Sequence, residues 1–153
     1  MLTSDEARRR IDLILKTREH SAPTQVGPTR AISLSAEEFP VPELIFTALH
    51  TLLGLPTYGP WEKMAWGIVA NYASTSFAIN YEKFGLRLYV PEVADSSGDA
   101  DILRAIRAIC SVAESYLKSE IESKVKLASV TISNHYHRFE DAYRFFRSRA
   151  RRA

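Results

Sequence analysis

The sequence predicts a mainly α protein, a single-domain helical bundle of about five helices arranged around one long central helix at 99–128. Three observations predict it. Leu103, Ile106, Cys110, Ala113, Leu117, Ile121, Val125 and Ala128 recur in steps of three or four, which aligns them on one helix face. Residues 42–53 are apolar around nearly the whole circumference of a helix. Trp61, Ala65, Ile68, Tyr72, Ser76 and Ile79 hold helical spacing across 60–84.

The central helix has no Gly or Pro inside it, and Ile102, Ile109 and Tyr116 widen its stripe. At 1.5 Å per residue it is about 45 Å long, enough to span a small domain. Arg104, Arg107, Lys118, Glu120 and Glu122 fall largely outside the stripe.

A first helix is expected over 4–19. Thr3-Ser4-Asp5-Glu6 places a hydroxyl three residues before an acid, a capping-box pattern, with two acids at the positive end of the dipole. Its apolar face is narrow (Ala7, Ile11, Ile14, Leu15), and Arg8-Arg9-Arg10 reads as a solvated face. Residues 20–40 form a long irregular loop broken by Pro23, Gly27, Pro28 and Pro40. Within it, residues 30–34 alternate weakly and suit an extended segment lying along the bundle. Ser35 to Glu38 suits one short turn.

The helix from Pro42 to Leu53 has Pro at its first position, Gly54 placed for a left-handed close, Leu55 as its hydrophobic contact and Pro56 as a stop. His50 reads as a satisfied core histidine. The next segment supports two foldings. Helical spacing over 60–84 ends at Gly85, which could close a helix against Tyr81 through Leu86. The alternative is an α+β chain with a β-hairpin at about 74–90, because Thr75, Phe77, Ile79 and Tyr81 alternate, as do Leu86, Leu88 and Val90. The helix is preferred since no Asn-Gly or Asp-Gly marks a tight turn. Leu86 to Pro91 is extended in either case. A polar turn at Asp95-Ser96-Ser97-Gly98 precedes the central helix. A last helix begins at Asn134 and carries an aromatic seam of Tyr136, Phe139, Tyr143 and Phe146.

The chain has 153 residues, 46% of them apolar and 25% charged, which fits one soluble domain, 1–153. A net charge of +2 conceals an asymmetry: the residues from Asn134 onward carry +4 and the rest −2. No apolar run approaches the ~18 residues of a membrane span, and the first residues lack the apolar core of a signal peptide. The one cysteine, Cys110, lies on the apolar stripe and reads as a buried thiol. The expected location is cytoplasmic, with no membrane contact.

Chemical motifs are sparse. Phosphate-loop, nucleophile-elbow, zinc-finger and dinucleotide fingerprints are absent from the sequence, and neither a catalytic residue nor a cofactor is expected. His137 and Asp141 share a helix face at i, i+4 and are candidate metal ligands, without a second pair to complete a site. Helical defence nucleases of the HEPN type carry an Arg shortly upstream of a His on one helix; His20, His50, His135 and His137 all lack it. The strongest surface signal is the basic end, 144–153. Arg144, Arg147 and Arg151 form one face, with Arg149 and Arg152 beside it, and guanidinium forks suit phosphate. The expected function is a helical interaction or regulatory module that binds a protein partner or itself. The alternative is a nucleic-acid-binding protein, of the kind found in defence systems, using those five arginines.

Overall fold

Residues 64–91 fold as three consecutive antiparallel strands, which replaces the helix expected over 60–84. In the computed structural model, which describes residues 1–18, 20, 28–92 and 96–127, these are β3 (Met64–Tyr72), β4 (Thr75–Glu82) and β5 (Gly85–Pro91). Ile68 lies opposite Ile79 and Ala70 opposite Phe77; across the next pair, Ile79 lies opposite Leu88 and Tyr81 opposite Leu86. This register gathers every second apolar residue of three strands onto one face. A helix would point Phe77 and Ile79 about 200° apart, so only the strand periodicity buries both.

The β4–β5 pair is the hairpin weighed as the alternative for about 74–90, and neither turn of the three strands carries the Asn-Gly or Asp-Gly whose absence favours the helix in sequence. Ala73 and Ser74 join β3 to β4, and Ala73 adopts a left-handed φ of 51°. Its amide donates to the Leu15 carbonyl at 2.7 Å, so a distant helix end stabilises a turn that lacks the usual residues. Between β4 and β5, Gly85 has φ 122° and pairs with Glu82. The glycine that could have closed a helix closes a hairpin instead.

Two more strands complete a sheet of order β1-β5-β4-β3-β2. β1 (Thr29–Leu34) lies inside the expected irregular loop; it does not run along a bundle but pairs with β5 from Thr29 opposite Pro91 to Leu34 opposite Leu86. β2 (Thr57–Tyr58) pairs with Ile68 and Gly67 on the far edge.

The helices pack on one face of this sheet. α1 (Ser4–Leu15) starts at Thr3, whose hydroxyl accepts from the Glu6 amide at 3.2 Å, and it stops before residue 19 because Lys16 turns left-handed. Ala7, Ile11 and Leu15 are fully buried, so this charged helix reaches the centre of the core. α2 (Glu43–Phe46) runs directly into a π-helical segment, Thr47–Leu52, closed by Gly54 at φ 76°. α3 (Asp99–Leu127) has nearly the expected span. Its most buried row is Ile102, Ala105, Ile106, Ile109 and Ala113, while Leu103, Cys110 and Leu117 are only partly buried. The apolar stripe is therefore rolled to one side, toward α1, α2 and the π-helical segment, which α3 packs against.

The described residues thus form an α+β fold of three helices and a five-stranded antiparallel sheet, correcting the mainly α, all-helical bundle. The long helix is not the centre of a bundle; it backs a sheet. The helix expected from Asn134 lies outside the described residues.

Candidate functional site

The most chemically distinctive recess opens between α2, its π-helical continuation and the β3–β4 pair. Leu44, Ile45, Ala48 and Leu49 turn into the core, which leaves Glu43, Phe46, Thr47 and Thr51 along the side facing the sheet. The π-helical bonding is seen in the Leu53 amide reaching back to the Ala48 carbonyl at 3.2 Å. Such widened turns are rare and recur at functional sites.

The opposite wall is irregular too. The β3–β4 register slips between Met64 and Trp66, which makes Ala65 the extra residue of a bulge and leaves it exposed on the rim. Bulges re-aim neighbouring side chains. Here Trp66 and Tyr81, direct cross-strand partners, both line the recess.

The resulting cavity holds about 310 Å³. Trp66 stands between two other rings: its centroid is 5.6 Å from Phe46 at 62° and 5.8 Å from Tyr81 at 66°. Edge-to-face pairs of this kind contribute about 0.5–1.5 kcal/mol each beyond burial. His50 braces it from behind. Its ring lies 4.8 Å from Phe46, and its Nδ1 donates to the Leu55 carbonyl at 2.7 Å. Among the described residues lining the cavity, Glu43 alone carries a formal charge.

Two other surfaces have chemical character. A broader depression of about 730 Å³ at the end of α1 is lined, among the described residues, by Arg9, Lys16 and Arg18 with Asp12, Leu13 and Thr17. The sheet face opposite the helices carries a polar lattice. The Tyr58 hydroxyl donates to Asn80 Oδ1 and the Tyr89 hydroxyl to Glu82 Oε1. Burial, reinforced by the nearby Glu82 charge, holds both phenols above their ordinary value of 10.0. At one end of this sheet Trp61 is 65% exposed and Phe84 78%. Their turns adjoin through the Lys83 amide and Lys63 carbonyl, 2.7 Å apart.

Arg144, Arg147, Arg149, Arg151 and Arg152, and the candidate metal ligands His137 and Asp141, lie outside the described residues. Among the described residues, no group of three or more His, Cys, Asp or Glu could hold a metal ion, and no helix is long and apolar enough to cross a membrane. Cys110 packs against the core; burial, with Glu114 adding negative charge, pushes its thiol up to about 12. The recess is hidden in the sequence because a helix over 60–84 carries Trp66 and Tyr81 on one element, whereas they are partners across two strands. The usable signal was the alternation of Trp66, Ile68 and Ala70 against Phe77, Ile79 and Tyr81. Comparison with family models, curated proteins and solved structures gives no match to the chain.

Proposed function

We propose that the protein is a cytoplasmic binding module, regulatory rather than catalytic, that takes a small ligand into the recess between α2 and the β3–β4 pair. The supporting observation is a ring-walled cavity of about 310 Å³ bounded by a π-helical turn on one side and a β-bulge on the other. That volume is at the lower end of small-ligand pockets, and an apolar lining with a few polar groups is their usual chemistry. Both irregularities interrupt regular backbone bonding, and both face the same space.

The test is saturation-transfer NMR with a panel of small alcohols, amines and carboxylic acids. Wild-type protein is compared with Ala65→Phe, which fills the recess from its exposed rim. A subset of the panel receives saturation from the wild type and none from the plugged variant, with unchanged circular dichroism. Equal transfer in both proteins removes the recess as the binding site.

Self-association is a second reading. It is favoured by two exposed aromatics on adjoining turns, Trp61 and Phe84, since large rings left in water are the usual anchors of protein contacts.

A further inference from the structure

We infer that the outer edge of β1 takes up an extended segment of a partner protein as a further strand of the sheet. That segment carries an apolar residue opposite Ile32 and a polar one opposite Arg30. The site is separate from the recess and does not rest on it.

The bonding phase of β1 fixes which of its backbone groups face outward. The Glu92 amide donates to the Pro28 carbonyl at 2.9 Å, one step beyond the Thr29–Pro91 pair. Bonded and unbonded pairs alternate along an antiparallel ladder, so Arg30, Ile32 and Leu34 exchange bonds with Val90, Leu88 and Leu86. The N–H and C=O groups of Thr29, Ala31 and Ser33 therefore point away from β5. Among the described residues β1 is the outermost strand, and no backbone bond reaches these groups. Natural sheets blunt such edges with short strands, outward charges, prolines or bulges. The opposite edge is blunted in this way, since β2 is two residues long. β1 is not: it runs six residues without a register slip, and Thr29, Ala31 and Ser33 are small, uncharged and exposed. Its one charge, Arg30, is turned to the helix side, where its guanidinium donates to both Asp99 carboxylate oxygens at 2.6 and 2.9 Å. Three donors and three acceptors spaced two residues apart are the complement of an extended backbone.

The side chains on the helix side choose the occupant. Ile32 packs against the core yet is only partly buried, with no described strand beyond it. An apolar residue opposite Ile32 completes its cover, and a polar one suits Arg30. A second copy of the chain never supplies both. Antiparallel pairing of two β1 strands, kept in bonding phase, sets Arg30 opposite Arg30, Ile32 or Leu34, a charge against its like or against an apolar residue. A segment of another protein has no such constraint.

The experiment selects a random twelve-residue peptide library, displayed on phage, on the immobilised full chain. The enriched peptides are synthesised with a fluorophore and titrated by anisotropy. Binding is expected to weaken at least about tenfold on Ala31→Pro, which removes an outward donor while leaving the bonds to β5 intact. A scan of the peptide by single N-methylation, read on the wild-type chain so that folding does not enter, is expected to lose binding at every second residue and keep it at those between. Enriched peptides that bind Ala31→Pro as tightly as wild type, or an N-methyl scan without alternation, overturn the proposal. So does a library from which no peptide is enriched. Cross-linking of two Ala31→Cys copies, in a Cys110→Ala background, by a short bifunctional thiosulfonate would assign the edge to a second copy and overturn the peptide.

Discussion

Gly67 lies directly beneath the ring of Tyr58: a Cβ placed on Gly67 would stand 2.1 Å from Tyr58 Cε2 and 2.6 Å from Asn80 Oδ1. The ring cannot simply swing aside, because its hydroxyl is bonded to Asn80. Short as it is, β2 is held to the sheet by this contact, with Tyr58 opposite Gly67 in the ladder. Gly67→Ala is expected to cost about 1–3 kcal/mol, the range of an overpacked site. In a Tyr58→Ala background the same substitution costs much less. A double-mutant cycle by denaturant unfolding measures the difference, and additive costs would contradict the close approach.

The rolled face of α3 makes a second prediction. Ile109 is fully buried, whereas Leu117, central to the apolar stripe in sequence, is only partly so. Ile109→Ala is expected to lose about 2–5 kcal/mol. Leu117→Ala loses clearly less, and Leu13→Ala, at a position 76% exposed, stays within about 0.5 kcal/mol. Thermal or chemical unfolding of the three variants checks the order. If Leu117 proves the costlier position of the two in α3, the face is wrongly assigned.

Cys110 makes a prediction in pH. Its folded thiol is pushed up to about 12 from an ordinary 9.0, so the folded state holds this proton more tightly than the unfolded chain. The resulting contribution to stability is fully present below pH 9 and declines as the pH rises through about 12. Tyr58 and Tyr89 are shifted in the same direction and add to the alkaline loss. Cys110→Ala is therefore expected to flatten the fall in stability above pH 9 without abolishing it. At neutral pH the native thiol should react with iodoacetamide far more slowly than in denaturant. Equal rates in the two conditions would place it at the surface.

Trp61 and Phe84 carry the prediction for self-association. Light scattering coupled to size exclusion, run over a range of concentrations, should show an apparent mass that rises with concentration. The pair Trp61→Ser and Phe84→Ser should return the protein to a constant monomer mass without altering its circular dichroism. A wild-type chain that stays strictly monomeric at the highest concentration removes the reading.

What the sequence determined by itself is the set of features settled within one or two turns of chain. The Thr3 cap, the glycine close at Gly54, the extended stretch before Pro91 and nearly the whole span of α3 rest on such signals: a side-chain oxygen, a residue without Cβ, a missing N–H, an unbroken 3.6-residue period. Residues 60–84 carried two periods at once, and no local signal chose between them. Tertiary structure chose, because only strands put Phe77, Ile79 and Tyr81 on the same apolar face as Leu86, Leu88 and Val90. The turn at Ala73 likewise rests on the carbonyl of Leu15, a partner supplied by another element. The recess belongs to this second category: Glu43 and Phe46 come from a helix, Trp66 and Tyr81 from paired strands. Such a site exists only once long-range packing has set the helix against the sheet, and its ring geometry is a property of that packing rather than of any run of residues.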